Sequence, residues 1–359
     1  MRKIWRAAVE AVTPYEAGKP LEILVAELGL VELVRLSANE NPLGASPRAI
    51  EAVRREAATI HLYPDGGSAA LRDALAHGLR ISPEQIVVGN GADELITLIA
   101  LAAFEPGDEI LMPNPSFEPY ATGANIAGSR IVASPLAGYE TDLDDIRRRV
   151  TPKTKAIFLC SPHNPATTII RQQPLVGFLD ALGDDPPLVV LDEAYRDFAD
   201  DPEYPDGVSL LARYPRLLVL RTFSKIAGLA GLRVGYAIAA LETIDRLNRV
   251  RAPYNVNRLG QVAALAALED TEHAARTRAV ILRERAHLAA GFRRLGLAFA
   301  PSQANFMLVR VKDPAGVREH LLRGGILVRD GAAVGFPGHL RITIGTREVN
   351  DRLLKLLEE

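Results

Sequence analysis

Short apolar runs alternate with amphipathic stretches over the first two thirds of the chain. The amphipathic stretches predict helices, for example over residues 47–58, where Ser46 is placed to cap the first turn. The apolar runs predict buried strands over residues 86–88, 109–112, 130–133, 155–160, 188–191 and 217–220. Such an alternation predicts an α/β fold, with a mostly parallel central sheet that carries helices on both faces.

The pattern changes after about residue 240. A long helical stretch covers residues 257–295 and breaks near Asp270 or Thr271. Further strands are predicted over 305–311, 326–329 and 340–344, with helices over 314–323 and at the C-terminus. This is the pattern of a smaller α+β unit. We therefore divide the chain into an N-terminal arm with part of the small domain (1–45), a large domain (46–250) and a small domain (251–359).

Composition excludes several classes of protein. The 359 residues carry a net charge of −2, which gives no electrostatic basis for binding nucleic acid or an anionic membrane. The single cysteine, Cys160, excludes an intramolecular disulfide framework and is expected to be buried and inert. No stretch reaches the roughly 18 apolar residues of a transmembrane helix, and the N-terminal residues include no apolar core long enough for a signal peptide. The simplest expectation is a cytoplasmic enzyme.

One lysine lies just past the end of a buried strand. Thr222 and Ser224 precede Lys225, and three glycines and Arg233 follow it, so its surroundings suit an anion. Its apolar flanks would desolvate the amine and lower its pKa, as Schiff-base chemistry requires. Taken alone, the stretch also fits a solvated turn.

A second strand end favours the functional interpretation of Lys225 over a solvated turn. The run 188–191 ends at Asp192, about 30 residues before the lysine. Ligands of open α/β sheets bind outside the carboxyl ends of the strands. A lysine for an aldehyde, an aspartate for a pyridinium nitrogen, and hydroxyls with an arginine for a phosphate together predict a pyridoxal phosphate site.

Other candidates follow neighbouring strands, and each has a plain structural alternative. Gly91, Ala92 and Asp93 open a helix whose N-terminus is either an anion site or an ordinary helix start. Phe117 is either a core aromatic or a platform that stacks on a flat ring. Asn164 and Tyr195 either hydrogen-bond a turn or donate to the hydroxyl of the cofactor ring. His163 is expected to be structural, and no His or Cys cluster predicts a metal site.

Two arginines occupy predicted strands of the small domain. Arg341 lies between apolar neighbours, and Arg329 lies near the end of the preceding strand. Each is either a surface residue or a bidentate clamp for an anionic group. Together they would suit a substrate with two anionic groups.

These stretches resemble the fold-type I pyridoxal phosphate-dependent aminotransferases, and most closely the histidinol-phosphate aminotransferases. The resemblance extends over nearly the whole chain. It is carried, in order, by TPY, LSANENPLG, YPDGG, GNGADE, SPHNP, DEAYRDF, RTFSKIAGLAGLRVGY, PYNVN, ANFMLV and LRITIGT. It implies transamination between L-histidinol phosphate and 2-oxoglutarate, with amino and keto compounds as substrates.

The resemblance implies a role for each candidate. Lys225 would bind the cofactor aldehyde and move the substrate proton, Asp192 would pair with the ring nitrogen, and Phe117 would stack on the ring. The residues implied in holding the cofactor's hydroxyl and phosphate are Tyr195, Asn164, Gly91, Ala92, Asp93, Thr222, Ser224 and Arg233. Tyr63 would reach the phosphate of a neighbouring subunit, which requires a homodimer. The residues implied in binding substrate are Arg341, for a carboxylate, and Arg329, Tyr15 and Asn39, in the distal pocket.

The chain departs from the family pattern after Asn164. The family commonly has Asn-Pro-Thr-Gly, whereas Ala166 and Thr167 end this stretch here. Residues other than glycine adopt a positive φ less readily, so we expect the loop to follow another path near the ring. Phe117 also replaces a common tyrosine, which keeps the stacking face and loses a hydroxyl.

Rival functions remain open on the sequence. Relatives of the same fold transaminate aromatic amino acids or decarboxylate threonine phosphate. A binding or regulatory protein that kept the fold without the chemistry is disfavoured, because every expected catalytic position is filled. A dinucleotide-binding enzyme is disfavoured because the glycine fingerprint and its downstream acid are missing.

Overall fold

The computed structural model describes residues 4–10, 12, 14 and 19–359. The helices are α1 (Ala7–Glu10), α2 (Leu21–Leu28), α3 (Pro47–Glu56), α4 (Ala69–Leu79), α5 (Ala92–Ala103), α6 (Glu118–Ala127), α7 (Leu143–Arg149), α8 (Gln172–Ala181), α9 (Gly207–Leu210), α10 (Leu241–Val250), α11 (Arg258–Glu269), α12 (Thr271–Arg294), α13 (Pro314–Arg323) and α14 (Arg347–Glu358). The strands are β1 (Val34–Leu36), β2 (Ile86–Gly89), β3 (Glu109–Asn114), β4 (Arg130–Pro135), β5 (Thr154–Cys160), β6 (Leu188–Asp192), β7 (Leu217–Thr222), β8 (Gly235–Ile238), β9 (Phe306–Arg310), β10 (Ile326–Asp330) and β11 (His339–Thr343).

Seven strands form the large sheet in the order β2-β8-β7-β6-β5-β3-β4. All neighbours are parallel except β8, which runs antiparallel to both β2 and β7. The predicted α/β architecture with a mostly parallel sheet is therefore confirmed. Every strand predicted from an apolar run is present, within two residues at each end.

Helices cover both faces of the large sheet because strand side chains alternate between the faces. Along β7, Leu217 and Val219 pack with α4, α7, α8 and α11 on one face. Leu218 and Leu220 pack with α5, α6 and α10 on the other. Both faces of the central strands are buried, which explains why they appear in the sequence as continuous apolar runs.

A smaller mixed sheet has the order β1-β10-β11-β9. Its strand β1 comes from the N-terminal part of the chain and pairs with β10 in parallel, with Leu36 opposite Val328. Side chains of α12, α13 and α14 bury one face of this sheet, among them Ile281, Leu321 and Leu353. No helix in the described ranges is long and apolar enough to span a membrane.

Candidate active site

A cavity of about 270 Å³ lies at the carboxyl ends of β5, β6 and β7. In a parallel sheet this is the edge at which ligands bind. It is lined by Ala38, Asn39, Glu40, Ala92, Asp93, Phe117, Cys160, Asn164, Asp192, Ala194, Tyr195, Thr222, Ser224, Lys225, Ala230, Arg233 and Arg341. Most of the residues predicted from the sequence therefore meet in one cavity.

Lys225 lies three residues beyond β7, half-buried at the cavity wall. Its Nζ donates to the backbone oxygen of Ala38 at 3.4 Å and lies 5.5 Å from the centre of the Tyr195 ring. Burial, helped by the positive charge of Arg341, lowers the pKa of the lysine to about 8. A free amine is therefore accessible near neutral pH.

Asp192 ends β6 and is almost completely buried. Its Oδ2 accepts a hydrogen bond from the Tyr120 hydroxyl at 2.6 Å, and its Oδ1 accepts one from the backbone N–H of Ala194 at 3.0 Å. Burial raises the pKa of this carboxyl to about 6, and the two hydrogen bonds oppose that rise. The carboxylate is therefore mainly ionised at neutral pH although it lies away from water.

A polar network surrounds the hydroxyl of Tyr195. Asn39 Nδ2 donates to it at 3.1 Å, and Asn164 Nδ2 lies at 3.5 Å. Burial raises the pKa of Tyr195 above its ordinary range, so the phenol is neutral. The side chain of Asn39 is itself held by the Thr343 hydroxyl at 3.2 Å.

Arg341 connects the small sheet to this network. Its Nη1 donates to Asn164 Oδ1 and its Nη2 to the backbone oxygen of Ser37, both at 2.8 Å, while its buried Nε–H has no partner in the described part of the chain. Arg329 pairs with Arg341 across β10 and β11, so the two side chains share a face of the sheet. Burial lowers the pKa of Arg341, and the like charge of Arg329 adds to that effect. Arg329 lies beside the cavity and does not line it.

The N-terminus of α5 forms another side of the site. Gly91 caps the helix with a φ of +85°, and a Cβ there would lie 2.5 Å from Arg233 Nη2. That nitrogen is 2.9 Å from Asp93 Oδ2. The positive end of the helix dipole and a guanidinium thus converge on one spot, which favours an anion. Nearby, the Thr222 hydroxyl accepts from the backbone N–H of Ser224 at 3.0 Å.

Phe117 is the N-cap residue of α6 and lines the cavity, half-buried. Its ring meets Tyr120 edge to face, with the ring centres 5.5 Å apart. One helical turn thus contributes both the aromatic wall of the cavity and the hydroxyl that contacts Asp192.

Tyr63 is not at this cavity. Tyr63 is 78% exposed and stacks on Tyr254 at 4.7 Å, away from the cavity of its own chain. Tyr15 lies outside the described residues.

The loop after Asn164 corrects one expectation. Thr167 adopts a φ of +71°, so the left-handed position expected to be lost with glycine is kept. The Thr167 hydroxyl donates to the backbone oxygen of Pro301 at 3.0 Å, and its own backbone oxygen accepts from Gln303 N–H at 2.9 Å. These bonds hold a β-branched residue in a conformation that it rarely adopts.

Two residues at or just beyond the end of β5 are buried. Cys160 is buried, its Sγ lies 3.2 Å from the backbone oxygen of Pro162, and burial raises the pKa of its thiol. His163 is also buried; its Nδ1 accepts from the backbone N–H of Ala166 at 3.1 Å, and burial lowers the pKa of the ring to about 4. Within the described ranges, no group of three or more His, Cys, Asp and Glu residues could hold a metal ion.

Tyr120, Thr343 and Asn41 also support the site, although they were not predicted from the sequence. A signal was available for the first two: Tyr120 lies one helical turn after Phe117, and Thr343 lies two residues after Arg341 on the same strand face. Asn41 gave no distinctive local signal: its nearby partner, the backbone N–H of Leu43, is an ordinary turn contact, and the backbone oxygens of Lys225 and Ile226 lie far away in the sequence.

Comparison with known sequences gives a consistent result. The family model "Aminotransferase class I and II" matches residues 31–357. A histidinol-phosphate aminotransferase of Moorella thermoacetica is 42% identical over 99% of this chain and 92% of its own length. Another from Anaeromyxobacter sp. is 44% identical over 97% of this chain and 96% of its own.

Solved structures are similar over the full length. The histidinol-phosphate aminotransferase of Sinorhizobium meliloti, solved in complex with pyridoxal-5'-phosphate, matches all of this chain and 97% of its own with a TM-score of 0.90 and 28% identity. The aspartate aminotransferase of Thermus thermophilus, solved with maleate, matches all of this chain and 98% of its own with a TM-score of 0.83 and 27% identity. The family match and these relatives make this chain a member of the class I and II aminotransferases.

Proposed function

We propose that the protein transfers an amino group between L-histidinol phosphate and 2-oxoglutarate, with pyridoxal phosphate as cofactor. The observation that carries the proposal is one cavity with a lysine of lowered pKa at its wall and a buried, ionised aspartate. Curated relatives with 42% and 44% identity are histidinol-phosphate aminotransferases, which supports this substrate over others in the family.

The residues present fit pyridoxal phosphate. Gly91 lets Arg233 approach the N-terminus of α5, because a Cβ at that position would lie 2.5 Å from Arg233 Nη2, and the guanidinium and the helix end together suit a phosphate. Buried Asp192 suits a ring nitrogen, and Phe117 offers a flat apolar wall. We assign the phosphate to Gly91, Ala92, Asp93, Thr222, Ser224 and Arg233, and the ring hydroxyl to Tyr195 and Asn164.

When bound, pyridoxal phosphate supplies an aldehyde that condenses with amines and a ring that accepts electrons from the substrate carbon. The chain's own residues then decide the outcome. Lys225 Nζ, as a neutral amine, accepts the proton of the substrate α-carbon, since its pKa is about 8. Asp192 would hold the ring nitrogen and would stabilise a proton there through one of its carboxylate oxygens. Burial makes the neutral amine of Lys225 available near neutral pH, and hydrogen bonds help to keep Asp192 ionised there.

In this proposal Arg341 marks the substrate end of the cavity, and Arg329 lies beside it. A guanidinium can pair with a carboxylate or a phosphate with two parallel hydrogen bonds. Glutamate would present a carboxylate there and histidinol phosphate a phosphate, and Asn39 with Tyr15 would complete the wall. Two arginines on one face of the sheet support an anionic substrate over a neutral one.

We also propose that the protein is a homodimer in which Tyr63 reaches the cofactor phosphate of the partner. Tyr63 is exposed, stacks on Tyr254 and lines one surface depression with Ile60 and Leu62, which are also exposed. Contiguous apolar surface of this kind is typical of a protein interface. The division of the chain at residues 45 and 250 is part of the same proposal.

A spectroscopic screen tests the function. The protein loaded with pyridoxal phosphate is mixed separately with L-histidinol phosphate, glutamate, phenylalanine, tyrosine and phosphothreonine, and the cofactor absorption is followed. We expect a rapid change with histidinol phosphate and glutamate, and none with Lys225→Ala. The exposed Lys155 provides a matched control, because Lys155→Ala should behave as the wild type.

Three outcomes would contradict the assignment. A faster change with phenylalanine or tyrosine would indicate an aromatic aminotransferase. Release of carbon dioxide from phosphothreonine would indicate a decarboxylase. Full turnover by Lys225→Ala would remove the proposed mechanism altogether.

A further inference from the structure

The loop of residues 37–46, which joins β1 of the small sheet to α3, lies against the segment that carries Lys225. Near its start, the backbone oxygen of Ala38 accepts from Lys225 Nζ at 3.4 Å. At its end, the backbone N–H of Ser46 donates to the oxygen of Ala227 at 3.3 Å. The 37–46 loop therefore contacts the lysine segment at both ends.

Asn41 makes the central contact. Its Nδ2 lies 2.9 Å from the backbone oxygen of Ile226 and 3.3 Å from that of Lys225, while its Oδ1 accepts from the backbone N–H of Leu43 at 2.9 Å. One side-chain amide thus holds two consecutive carbonyls of the lysine segment and shapes its own turn at the same time.

The chain after Lys225 needs such support. Gly228, with a φ of +70°, and Gly231 follow within six residues, and glycine gives a segment little stiffness of its own. Gly228 also lies so close to the 37–46 loop that a Cβ there would come within 2.2 Å of the backbone oxygen of Gly44. The position of Lys225 therefore depends on contacts made by the 37–46 loop.

The small-domain strands hold the 37–46 loop in turn. Asn305, which is fully buried, donates from Nδ2 to the backbone oxygen of Asn39 at 3.1 Å. Arg341 Nη2 donates to the backbone oxygen of Ser37 at 2.8 Å. The same short loop thus contacts both the proposed anion-binding arginine and the proposed catalytic amine.

We propose that Asn41 is a positioning residue for Lys225. Its amide holds the backbone at Lys225 and Ile226 so that Nζ stays beside Ala38 and the Tyr195 ring. The catalytic part of this inference rests on the proposed function, whereas the positioning of the amine does not.

The first test uses the protein without cofactor and needs no activity. Trace acetylation with acetic anhydride, followed by mass spectrometry of the Lys225 peptide across pH 6–11, reports the reactivity and titration of that amine. We expect Asn41→Ala to move the titration midpoint upward from about 8 and to increase labelling at pH 11, where the amine is deprotonated in both proteins, because a looser segment lets the amine reach water. Labelling equal to the wild type would overturn the proposal.

Gln303 provides a matched control. Its side-chain amide is also half-buried and holds two consecutive backbone groups, the N–H groups of Asp200 and Asp201, at 2.7 and 3.1 Å. Gln303→Ala should lower the thermal midpoint of unfolding about as much as Asn41→Ala does. It should leave the labelling of Lys225 unchanged. A shift in both variants would indicate general loosening and would overturn the specific role of Asn41.

The second test is kinetic and uses the loaded enzyme. We expect Asn41→Ala to lower kcat by about 10- to 100-fold, with KM for glutamate within about 3-fold, because misplacement of a reacting group acts on the chemical step. Asn41→Asp keeps the shape but cannot donate, so it should behave like Asn41→Ala; wild-type kcat in Asn41→Asp would overturn the proposal. If the wild type does not transaminate, the proposed function fails, and the labelling result still decides the role of Asn41.

Discussion

Lys225 and Asp192 both lie in the cavity in environments that disfavour their charged forms. Burial lowers the pKa of the lysine to about 8 and raises that of the aspartate to about 6. Each shift records a cost of holding charge away from water. Such costs reduce stability and are retained where chemistry needs them.

This cost predicts a pH-dependent gain of stability on removing the amine. In the cofactor-free protein the folded state binds the Lys225 proton less tightly than the unfolded state, so wild-type stability rises with pH between about 8 and the ordinary value of 10.5. Lys225→Met should therefore raise the thermal midpoint at pH 7, and the gain should shrink across that window. Lys155→Met, at an exposed lysine, is the control. Its difference in thermal midpoint from the wild type should not change with pH across that window.

The hydrogen bond from Tyr120 to Asp192 predicts a second effect. Tyr120→Phe removes one hydroxyl and leaves a buried carboxylate oxygen without its donor, so the pKa of Asp192 should rise above about 6. Affinity for pyridoxal phosphate, measured by titrating the cofactor-free protein, should then fall about 10-fold at pH 7. The acid limb of the plot of affinity against pH should also move to higher pH. Tyr204→Phe loses a hydroxyl bonded at 2.6 Å to the backbone oxygen of Ser161 and is the matched control. An unmoved acid limb in Tyr120→Phe would contradict the effect.

At the scale of elements, the apolar runs predicted the strands well because central strands of a covered parallel sheet are buried on both faces. Helix α6 was missed, since Pro113, Pro115 and Pro119 favour a loop. Pro119 in fact occupies the first turn of α6, where a missing N–H costs nothing. Strand β1 was also missed, because its partner β10 lies about 290 residues away in sequence and no local pattern encodes that pairing.

The candidate site shows the same contrast between features that the sequence predicts and features that it does not. Residues at strand ends, such as Asp192 and Lys225, were predictable because sheet topology fixes where they meet. Tyr120 and Asn41 were not identified, since their contacts depend on how a helix and a loop pack against those strand ends. Sequence therefore indicated the reacting groups and left most of their support unseen.

The loop that carries Asn164 predicts an unusual order of stabilities at Thr167. At a φ of +71°, glycine is favoured over any residue with a Cβ by roughly 1 kcal/mol. Both Thr167→Ala and Thr167→Gly lose the hydrogen bond to Pro301, so their difference reports the backbone conformation and the packing of one buried Cβ. Urea unfolding should therefore find Thr167→Gly more stable than Thr167→Ala.

Thr97, inside α5, serves as the control, because its alanine and glycine variants should show the opposite order of stabilities. In a helix interior alanine is favoured over glycine by about 1 kcal/mol, so Thr97→Ala should be the more stable of that pair. The same order at both positions would argue against a left-handed Thr167.

At the scale of the whole molecule, the cavity is assembled from distant parts of the chain. Lys225 and Asp192 come from the large sheet, Arg341 from the small sheet and Asn39 from the loop after β1. Tyr63 remains exposed at 78% and turned away from this cavity. If the proposed homodimer forms, each site would be completed by a tyrosine from the other subunit.

A mixture of two variants, each of which lacks one required side chain, tests the proposed homodimer. Tyr63→Phe should weaken cofactor binding about 10-fold or more, because it removes a hydrogen bond to a charged phosphate. Refolding it together with Lys225→Ala would yield heterodimers in which one site has both an intact lysine and an intact tyrosine from the partner. At a cofactor concentration that leaves Tyr63→Phe mostly empty, the mixture should recover about one quarter of wild-type activity. Native mass spectrometry would verify that heterodimers formed. Heterodimers without recovered activity would mean that Tyr63 does not serve the neighbouring site, and the exposed apolar patch would then need another explanation.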